Sequence, residues 1–516
     1  MPPFRNEPYS DFSQPAARGA MQVALDAVRA RFGHAYMPWI AGRRRELTAT
    51  FDSRNPSHPD ETVGRHGKGS ANDAHDAVEA AFAAFPSWAR TRPEVRVEML
   101  FRCVEILKRR KNEFNAWLVF EAGKSWIEAE ADTSEAIDFC DYYARLMLKH
   151  ASPEPLTQMP GEHGHLRYLP LGVGVVIPPW NFPLAIMAGM TVASLVAGNT
   201  VVIKPSSDTP TIAAKFVEVL AEAGFPESVY QFLPGSGAAV GDTLVAHPKT
   251  RFISFTGSKA VGLHINELAA RTQPGQIWIK RVIAEMGGKD AIVVADDADL
   301  DAAAAGILAS AFGYQGQKCS ACSRAIVDAR VYDAVVERLA AGAAKLTVGP
   351  AENPAHYMGP VINAGAKKTI LDYIEQGKRE GRLIAGGGAV AGLDGHFIQP
   401  TILAGIEPAA VIFREEIFGP VLAVTKARDF QHALALANDS EYGLTGAVYS
   451  SDPARLRMAE EEFFVGNLYL NRKCTGAMVG CHPFGGFNMS GTDSKAGGPD
   501  YLLQFLQAKS IAERTA

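Results

Sequence analysis

Residues 200–224 read TVVIKPSSDTPTIAAKFVEVLAEAG. A short apolar run, Thr200 to Ile203, gives way to a polar turn, and Thr209 to Ala223 then places its apolar residues at helical spacing until Gly224 stops it. This is one strand–helix unit. Working outward, Val173 to Ile177, Val229 to Leu233 and Arg251 to Phe255 read as further strands, and Lys259 to Ala270 as a helix. Short apolar strands alternating with helices predict an α/β fold with a parallel sheet buried on both faces. After Glu285-Met-Gly-Gly288 the alternation resumes. Strands are expected at Ala291 to Ala295, Val421 to Thr425 and Gly446 to Tyr449. Helices are expected at Leu300 to Phe312, Val331 to Leu346, Ala364 to Glu380, Phe430 to Asn438 and Pro453 to Glu462. A second α/β domain is therefore predicted, with a hinge and cleft near Gly287-Gly288.

Ahead of both series, residues 1–70 are rich in Pro, Gly and Arg and read as an irregular wrapping arm with one helix near Ala16 to Phe32. Ser70-Ala-Asn-Asp73 offers a capping box for a helix carrying Val78, Phe82, Phe85 and Trp88. Two more helices are expected, Glu94 to Phe120 and Ser125 to His150, separated by Gly123. In the second, Glu128, Glu130, Asp132, Glu135 and Asp138 read mostly as a solvated face, although one acid turned inward could meet a substrate. The tail from Tyr501, with the segment near His165 to Pro170, reads as strands that leave their own subunit.

Composition bounds the function. The chain has 516 residues, 47% hydrophobic and 21% charged, with a net charge of −5. That balance offers no basic face for nucleic acid or an anionic membrane. The amino terminus lacks the apolar run of a signal peptide, and six cysteines without zinc-type pairing suggest free thiols and a cytoplasmic, reducing setting, with no metal. One cysteine stands apart. Gly316-Gln-Lys-Cys319-Ser-Ala-Cys322 forms a polar turn between a helix and an apolar stretch, where a thiolate can meet a substrate. A buried, inert cysteine is the ordinary alternative from these residues alone.

Six motifs shift that balance. Pro179-Trp-Asn-Phe-Pro183, Lys204-Pro205, Phe255-Thr-Gly-Ser258, Glu285-Met-Gly-Gly-Lys289, Gly316-Gln-Lys-Cys319 and Glu415-Glu-Ile-Phe-Gly-Pro420 together resemble the aldehyde dehydrogenase superfamily, in the same order and over nearly the whole chain. The resemblance implies two Rossmann-like parallel-sheet domains and a small β oligomerisation flap. It assigns 1–163 and 172–287 to NAD binding, 288–485 to catalysis, and 164–171 with 486–516 to the flap.

It also implies a chemistry. A free aldehyde carbon holds no charge that could expel hydride, whereas attack by the Cys319 thiolate makes an oxyanion that can, leaving a thioester. The Asn181 amide and the Cys319 backbone N–H resemble the oxyanion hole, and Glu285, on a flexible Gly-Gly turn, resembles the base that activates water. For the cofactor, Gly235-Ser-Gly237 is by itself a common turn; Phe255-Thr256-Gly257-Ser258, closing a strand and opening a helix, is the better phosphate site. The resemblance adds Ile177, Pro178, Trp180, Lys204, Ser207, Gly237 and Gly241 around the nucleotide, and Glu416 with Phe418 at the nicotinamide ribose. Ser207 stands where strictly NAD-specific members carry a glutamate that repels a 2′-phosphate, so NAD use with NADP tolerance is expected.

Asn471 to Gly480, leading to Pro483-Phe-Gly-Gly486, resembles the anchor loop of the Δ1-pyrroline-5-carboxylate dehydrogenase branch, which oxidises glutamate γ-semialdehyde in proline catabolism. By that resemblance Ser320, Gly476 and Ala477 clamp a carboxylate, Phe484 packs on the aliphatic stem, and Glu135 pairs with Lys318 at the polar end. The length is that of a monofunctional form without a fused proline-oxidising domain. A homodimer or larger dimer-based oligomer such as a hexamer is expected, with a proline dehydrogenase as a further partner. The alternatives are another semialdehyde dehydrogenase, such as one for succinic semialdehyde, and a non-catalytic structural member. A Cys319–Cys322 disulfide would silence the nucleophile.

Overall fold

The computed structural model describes residues 2–515. In the first seven-stranded sheet the strands Arg281–Glu285, Thr250–Thr256, Val173–Ile177, Thr200–Ile203 and Tyr230–Phe232 lie side by side and parallel. Two short strands, Trp39–Ile40 and Arg43–Arg44, continue it antiparallel. All five residues of Val173–Ile177 are buried, as expected for a β-branched strand covered on both faces. The chain starts at that strand, builds outward to one side, then crosses to the other, so a topological switch point lies between Val173–Ile177 and Thr250–Thr256.

The second sheet also has seven strands, ordered Arg382–Ala385, Thr401–Ala404, Val421–Ala427, Cys322–Asp328, Asp290–Val294, Thr445–Tyr449 and Asn467–Leu470. All pairings are parallel except that of the first. A third sheet pairs Leu506–Arg514 antiparallel with Glu162–Pro170, and Glu154–Pro155 joins its edge. Most of Leu506–Arg514 is exposed.

Several expected elements need correction. Residues 1–70 are not irregular: His34–Tyr36, Thr50–Asn55 and His58–Gly67 form a three-stranded sheet, and the two short strands above extend the first sheet. Pieces of two or three residues are too short to display a period. The expected helix Glu94 to Phe120 is two, Pro93–Arg109 and Lys111–Ala122, broken at Arg110 (φ −98°, ψ 13°). The capping box at Ser70 is present: its side chain accepts from the Asp73 N–H while Asp73 accepts from the Ser70 N–H. Gly123 ends its helix in the left-handed region at φ 65°.

The largest correction concerns the acids of helix Trp126–Ala151. Glu130, Asp132 and Asp138 are buried, not solvated. Each has a local partner, which is what makes burial of a carboxylate tolerable. Asp132 accepts from the Ala185 N–H (2.7 Å) and lies 3.4 Å from the Lys124 ammonium. Glu130 meets Lys111 (2.6 Å) and Asn115 (2.6 Å). The amino-terminal segment lies over this helix and supplies the rest: the Ser10 N–H to Glu130 and the Glu7 N–H to Asp138, both at 2.7 Å.

Candidate active site

The catalytic loop is held by its own buried side chains. Tyr314 (φ 51°) and Gln315 (φ 56°) occupy the left-handed region, a conformation costing about 1–3 kcal/mol per residue unless the surroundings impose it. They do. The Tyr314 hydroxyl donates to the Ala122 carbonyl (2.8 Å), and the Gln315 amide donates to Gly123 (3.0 Å) and Pro360 (2.8 Å). Gln317 Oε1 accepts from the Ile362 N–H (2.9 Å). Gly316 has no room for a Cβ, which would collide with the Gly419 carbonyl. The loop that carries Cys319 and the loop that carries Glu416 therefore touch.

Cys319 lines a cavity of about 150 Å³ together with Glu285, Thr256, Lys318, Ser320, Glu135, Gly476, Ala477 and Phe484. Asn181 is buried beside the loop, its amide donating to the Gln317 carbonyl (3.0 Å), two residues before the cysteine. Burial, with the carboxylates Asp290, Glu416 and Glu285 nearby, pushes the Cys319 thiol up. Glu285 ends the strand Arg281–Glu285. Its carboxylate accepts from the Ser494 hydroxyl (2.6 Å) and from the N–H groups of Ser494 (3.2 Å) and Gly486 (3.1 Å). Burial outweighs those bonds and lifts it to about 7. The adjacent glycines serve close approach more than flexibility: a Cβ on Gly287 would collide with the Glu416 carboxylate, and one on Gly288 would lie 2.5 Å from the Cys319 carbonyl.

The residues expected around a dinucleotide gather at the carboxyl ends of the first sheet's strands. Ile177 closes one strand, Lys204 follows the next, and Gly237–Gly241 forms a turn after the third. Thr256 closes a fourth, and Gly257 and Ser258 lead into the twelve-residue helix Lys259–Ala270, with Ser258 accepting from the Val261 N–H. The fit to a dinucleotide is good: burial pulls the Lys204 ammonium down to about 8, its one hydrogen bond among the described residues is to the Pro205 carbonyl (3.3 Å), and the space beside Gly237 is open. Ser207 is exposed, and no carboxylate stands at that position. Across the cleft, Glu416 accepts from the Gly288 N–H (3.1 Å) and burial lifts it to about 7. Phe418 (φ 56°) meets Trp180 edge to face, 5.4 Å between centroids.

At the substrate end one expectation fails. Lys318 pairs with Glu128 (2.7 Å), not with Glu135. Glu128 lies seven residues, or two helical turns, before Glu135 on the same face of the helix. No hydrogen bond reaches Glu135 among the described residues; burial and the nearby Asp132 lift it to about 8. The Cys319–Cys322 pairing also finds no support. Cys322 begins a buried strand and its thiol donates to the Arg324 carbonyl (3.4 Å), whereas Cys319 faces the cavity. Glu128, Phe182, Ser494 and Tyr9 also line the cavity, though none was singled out as a wall residue from sequence. Phe182 had a signal in its motif; its ring, like that of Tyr314, packs on the fully buried Lys124 ammonium (3.7 and 4.1 Å).

The sequence profile of the aldehyde dehydrogenase family matches residues 42–511. This chain belongs to the aldehyde dehydrogenase family. Within the family it is 58% identical over 513 residues to a 1-pyrroline-5-carboxylate dehydrogenase of Geobacillus thermodenitrificans, covering 99% of each chain. The structure of a Thermus 1-pyrroline-5-carboxylate dehydrogenase with bound NAD superimposes at a TM-score of 0.98 with 50% identity, over 100% of this chain and 99% of that one. A betaine aldehyde dehydrogenase of Staphylococcus aureus gives 0.89 at 28% identity, over 95% of this chain and 96% of that one. No helix among the described residues is long and apolar enough to cross a membrane.

Proposed function

We propose that this chain oxidises L-glutamate γ-semialdehyde, the open form of Δ1-pyrroline-5-carboxylate, to L-glutamate with NAD, the second step of proline catabolism. One observation carries the reading: a single cavity joins a thiol and a carboxylate poised near 7 to a polar end bearing an unpaired acid, Glu135, and the Gly476-Ala477 backbone. That polar end suits an α-amino acid head group.

Glu285, titrating near 7 on the same wall, accepts the Cys319 proton, and the thiolate adds to the aldehyde carbon to form a thiohemiacetal. The oxyanion is stabilised by the Asn181 amide and the Cys319 N–H; one such donor contributes roughly 2.7–4 kcal/mol. Lys204, Ser207, Gly237, Gly241, Thr256, Gly257 and Ser258, with Ile177, Pro178 and Trp180, hold the nucleotide, while Glu416 and Phe418 hold its nicotinamide ribose. Bound NAD supplies the acceptor for the aldehyde hydrogen. Glu285, after releasing the first proton to solvent, then deprotonates the water that releases the acid from the Cys319 thioester. Ser320, Gly476 and Ala477 hold the substrate carboxylate, Phe484 its stem, Glu135 its ammonium, and Lys318, neutralised by Glu128, borders the polar end.

The same reading assigns 1–163 and 172–287 to the cofactor domain, 288–485 to the catalytic domain, and 164–171 with 486–516 to a flap. The exposed third sheet supports a homodimer or a hexamer built from dimers, and free thiols support a cytoplasmic enzyme receiving its substrate from a proline dehydrogenase. The missing carboxylate at Ser207 supports turnover with NADP as well.

The test is NADH formation with Δ1-pyrroline-5-carboxylate and with succinic semialdehyde, and NADPH formation alongside. Preference for the pyrroline, with a measurable NADP rate, is expected. Preference for succinic semialdehyde would keep the chemistry and discard the head-group assignment.

A further inference from the structure

The first dozen residues belong to neither large sheet, yet they are fastened on both sides of Tyr9. Before it, Asn6 donates to Asp138 (2.8 Å) and to the Val479 carbonyl in the anchor loop (2.9 Å), and the Glu7 N–H donates to Asp138 (2.7 Å). After it, the Ser10 N–H donates to Glu130 (2.7 Å), and Phe12 packs edge to face on Trp126 with centroids 5.3 Å apart. Lys111 clamps the middle by donating to the Pro8 carbonyl (2.8 Å). Such density of bonds on an extended segment fixes one residue in particular. Tyr9 faces the substrate cavity on one side and solvent on the other, and its hydroxyl makes no hydrogen bond among the described residues.

Its surroundings are acidic. Glu135, Asp138, Glu128 and Glu130 all lie close enough to act on the phenol, and burial with these charges pushes it up to about 12, so the ring stays neutral. A neutral, electron-rich ring beside an acid that has no hydrogen-bond partner among the described residues, and that an arriving ammonium would ionise, is a site for an organic cation. The distribution of the segment agrees. The family profile begins at residue 42, after the arm, whereas the Geobacillus relative aligns over 99% of this chain. The arm thus lies outside the stretch that the family profile matches.

We propose that Tyr9 is a specificity-determining residue: the amino-terminal arm lays its ring over the mouth of the cavity, where it covers the α-ammonium of an amino-acid aldehyde beside Glu135. This rests on the reading of the substrate given above and adds to it a wall supplied from outside the stretch that the family profile matches. The ring face, not the hydroxyl, is the working part.

The experiment compares two aldehydes that differ only in that ammonium, L-glutamate γ-semialdehyde and 5-oxopentanoate, with Tyr9→Ala, Tyr9→Leu, Tyr9→Phe and Asn6→Ala. Tyr9→Ala and Tyr9→Leu are expected to lower the kcat/KM ratio of the first substrate over the second about tenfold, through KM. Tyr9→Phe is expected to stay within about twofold of the parent, and Asn6→Ala, by loosening the arm, to fall between. Equal losses for both aldehydes in Tyr9→Ala and Tyr9→Leu, or an unchanged ratio, would overturn the proposal. Tyr9 is exposed and bonds to nothing, so these variants are expected to fold, and unchanged melting temperatures check it. A parent enzyme that fails to prefer the amino-acid aldehyde defeats the substrate reading instead, before any variant is measured.

Discussion

The two seven-stranded sheets meet the cleft with opposite ends. The first offers the carboxyl ends of its strands: Ile177, Lys204, Thr256 and Glu285 all close or follow a strand there. The second offers amino ends, for Gly288, Cys319 and Glu416 all precede the strands Asp290–Val294, Cys322–Asp328 and Val421–Ala427. The difference is chemical. At a carboxyl edge the next helix begins, so unpaired N–H groups and a positive helix end await a phosphate with little further construction. At an amino edge no such ready-made site exists, and a loop must be pinned by tertiary bonds, as Tyr314, Gln315 and Gln317 pin Cys319.

If that contrast is right, losses on the second sheet's side should stop the chemistry and losses on the first sheet's side should weaken binding. Cys319→Ala is expected to abolish turnover, by on the order of 10⁴-fold or more, with the melting temperature unchanged; steady-state NADH formation measures it. Glu285→Gln, at the seam between the sheets, is expected to slow the steady state by about 10²–10⁴-fold. A stopped-flow burst approaching one NADH per active site would confine the role of Glu285 to the step after oxidation; absence of a burst would bear out its role in thiol deprotonation as well. Lys204→Ala is expected to raise KM for NAD about tenfold at nearly constant kcat, equivalent to about 1.4 kcal/mol. A large fall in kcat would break the contrast.

The smallest effect is in pH. Glu285 must be ionised to act as a base and its raised value lies near 7, so activity should fall as pH drops through about 7. The Ser494 hydroxyl stabilises the ionised form; Ser494→Ala should therefore move this acidic limb upward by roughly one pH unit. A pH–rate profile of kcat reads the shift, and a downward shift would contradict the assignment.

Legibility in the sequence followed periodicity. Helices Lys259–Ala270, Leu300–Phe312, Ala364–Glu380 and Pro453–Glu462 lie where their spacing puts them. Helix Ala185–Val196 escaped notice because AIMAGMTVASLV is covered on nearly every face and shows no stripe. The strand Cys322–Asp328 escaped because Arg324 interrupts its apolar run. That guanidinium is buried, donating to the carbonyls of Lys289, Leu436 and Ala437. The acids of helix Trp126–Ala151 looked solvated for a related reason: the groups that bury them, the amino-terminal arm and Lys111, are remote in sequence or invisible to a local pattern.

By itself the sequence determined the α/β alternation, the motif around Cys319 and the strand–turn–helix edge proposed for the cofactor, since each depends on residues within a few positions of one another. Tertiary structure alone decided that Lys318 pairs with Glu128, that the Cys474 thiol donates to the Ser320 carbonyl beside Cys319, and that Tyr9 reaches the cavity. Those contacts join segments far apart in the chain, and which side chain meets which is set by the packing of whole helices and sheets.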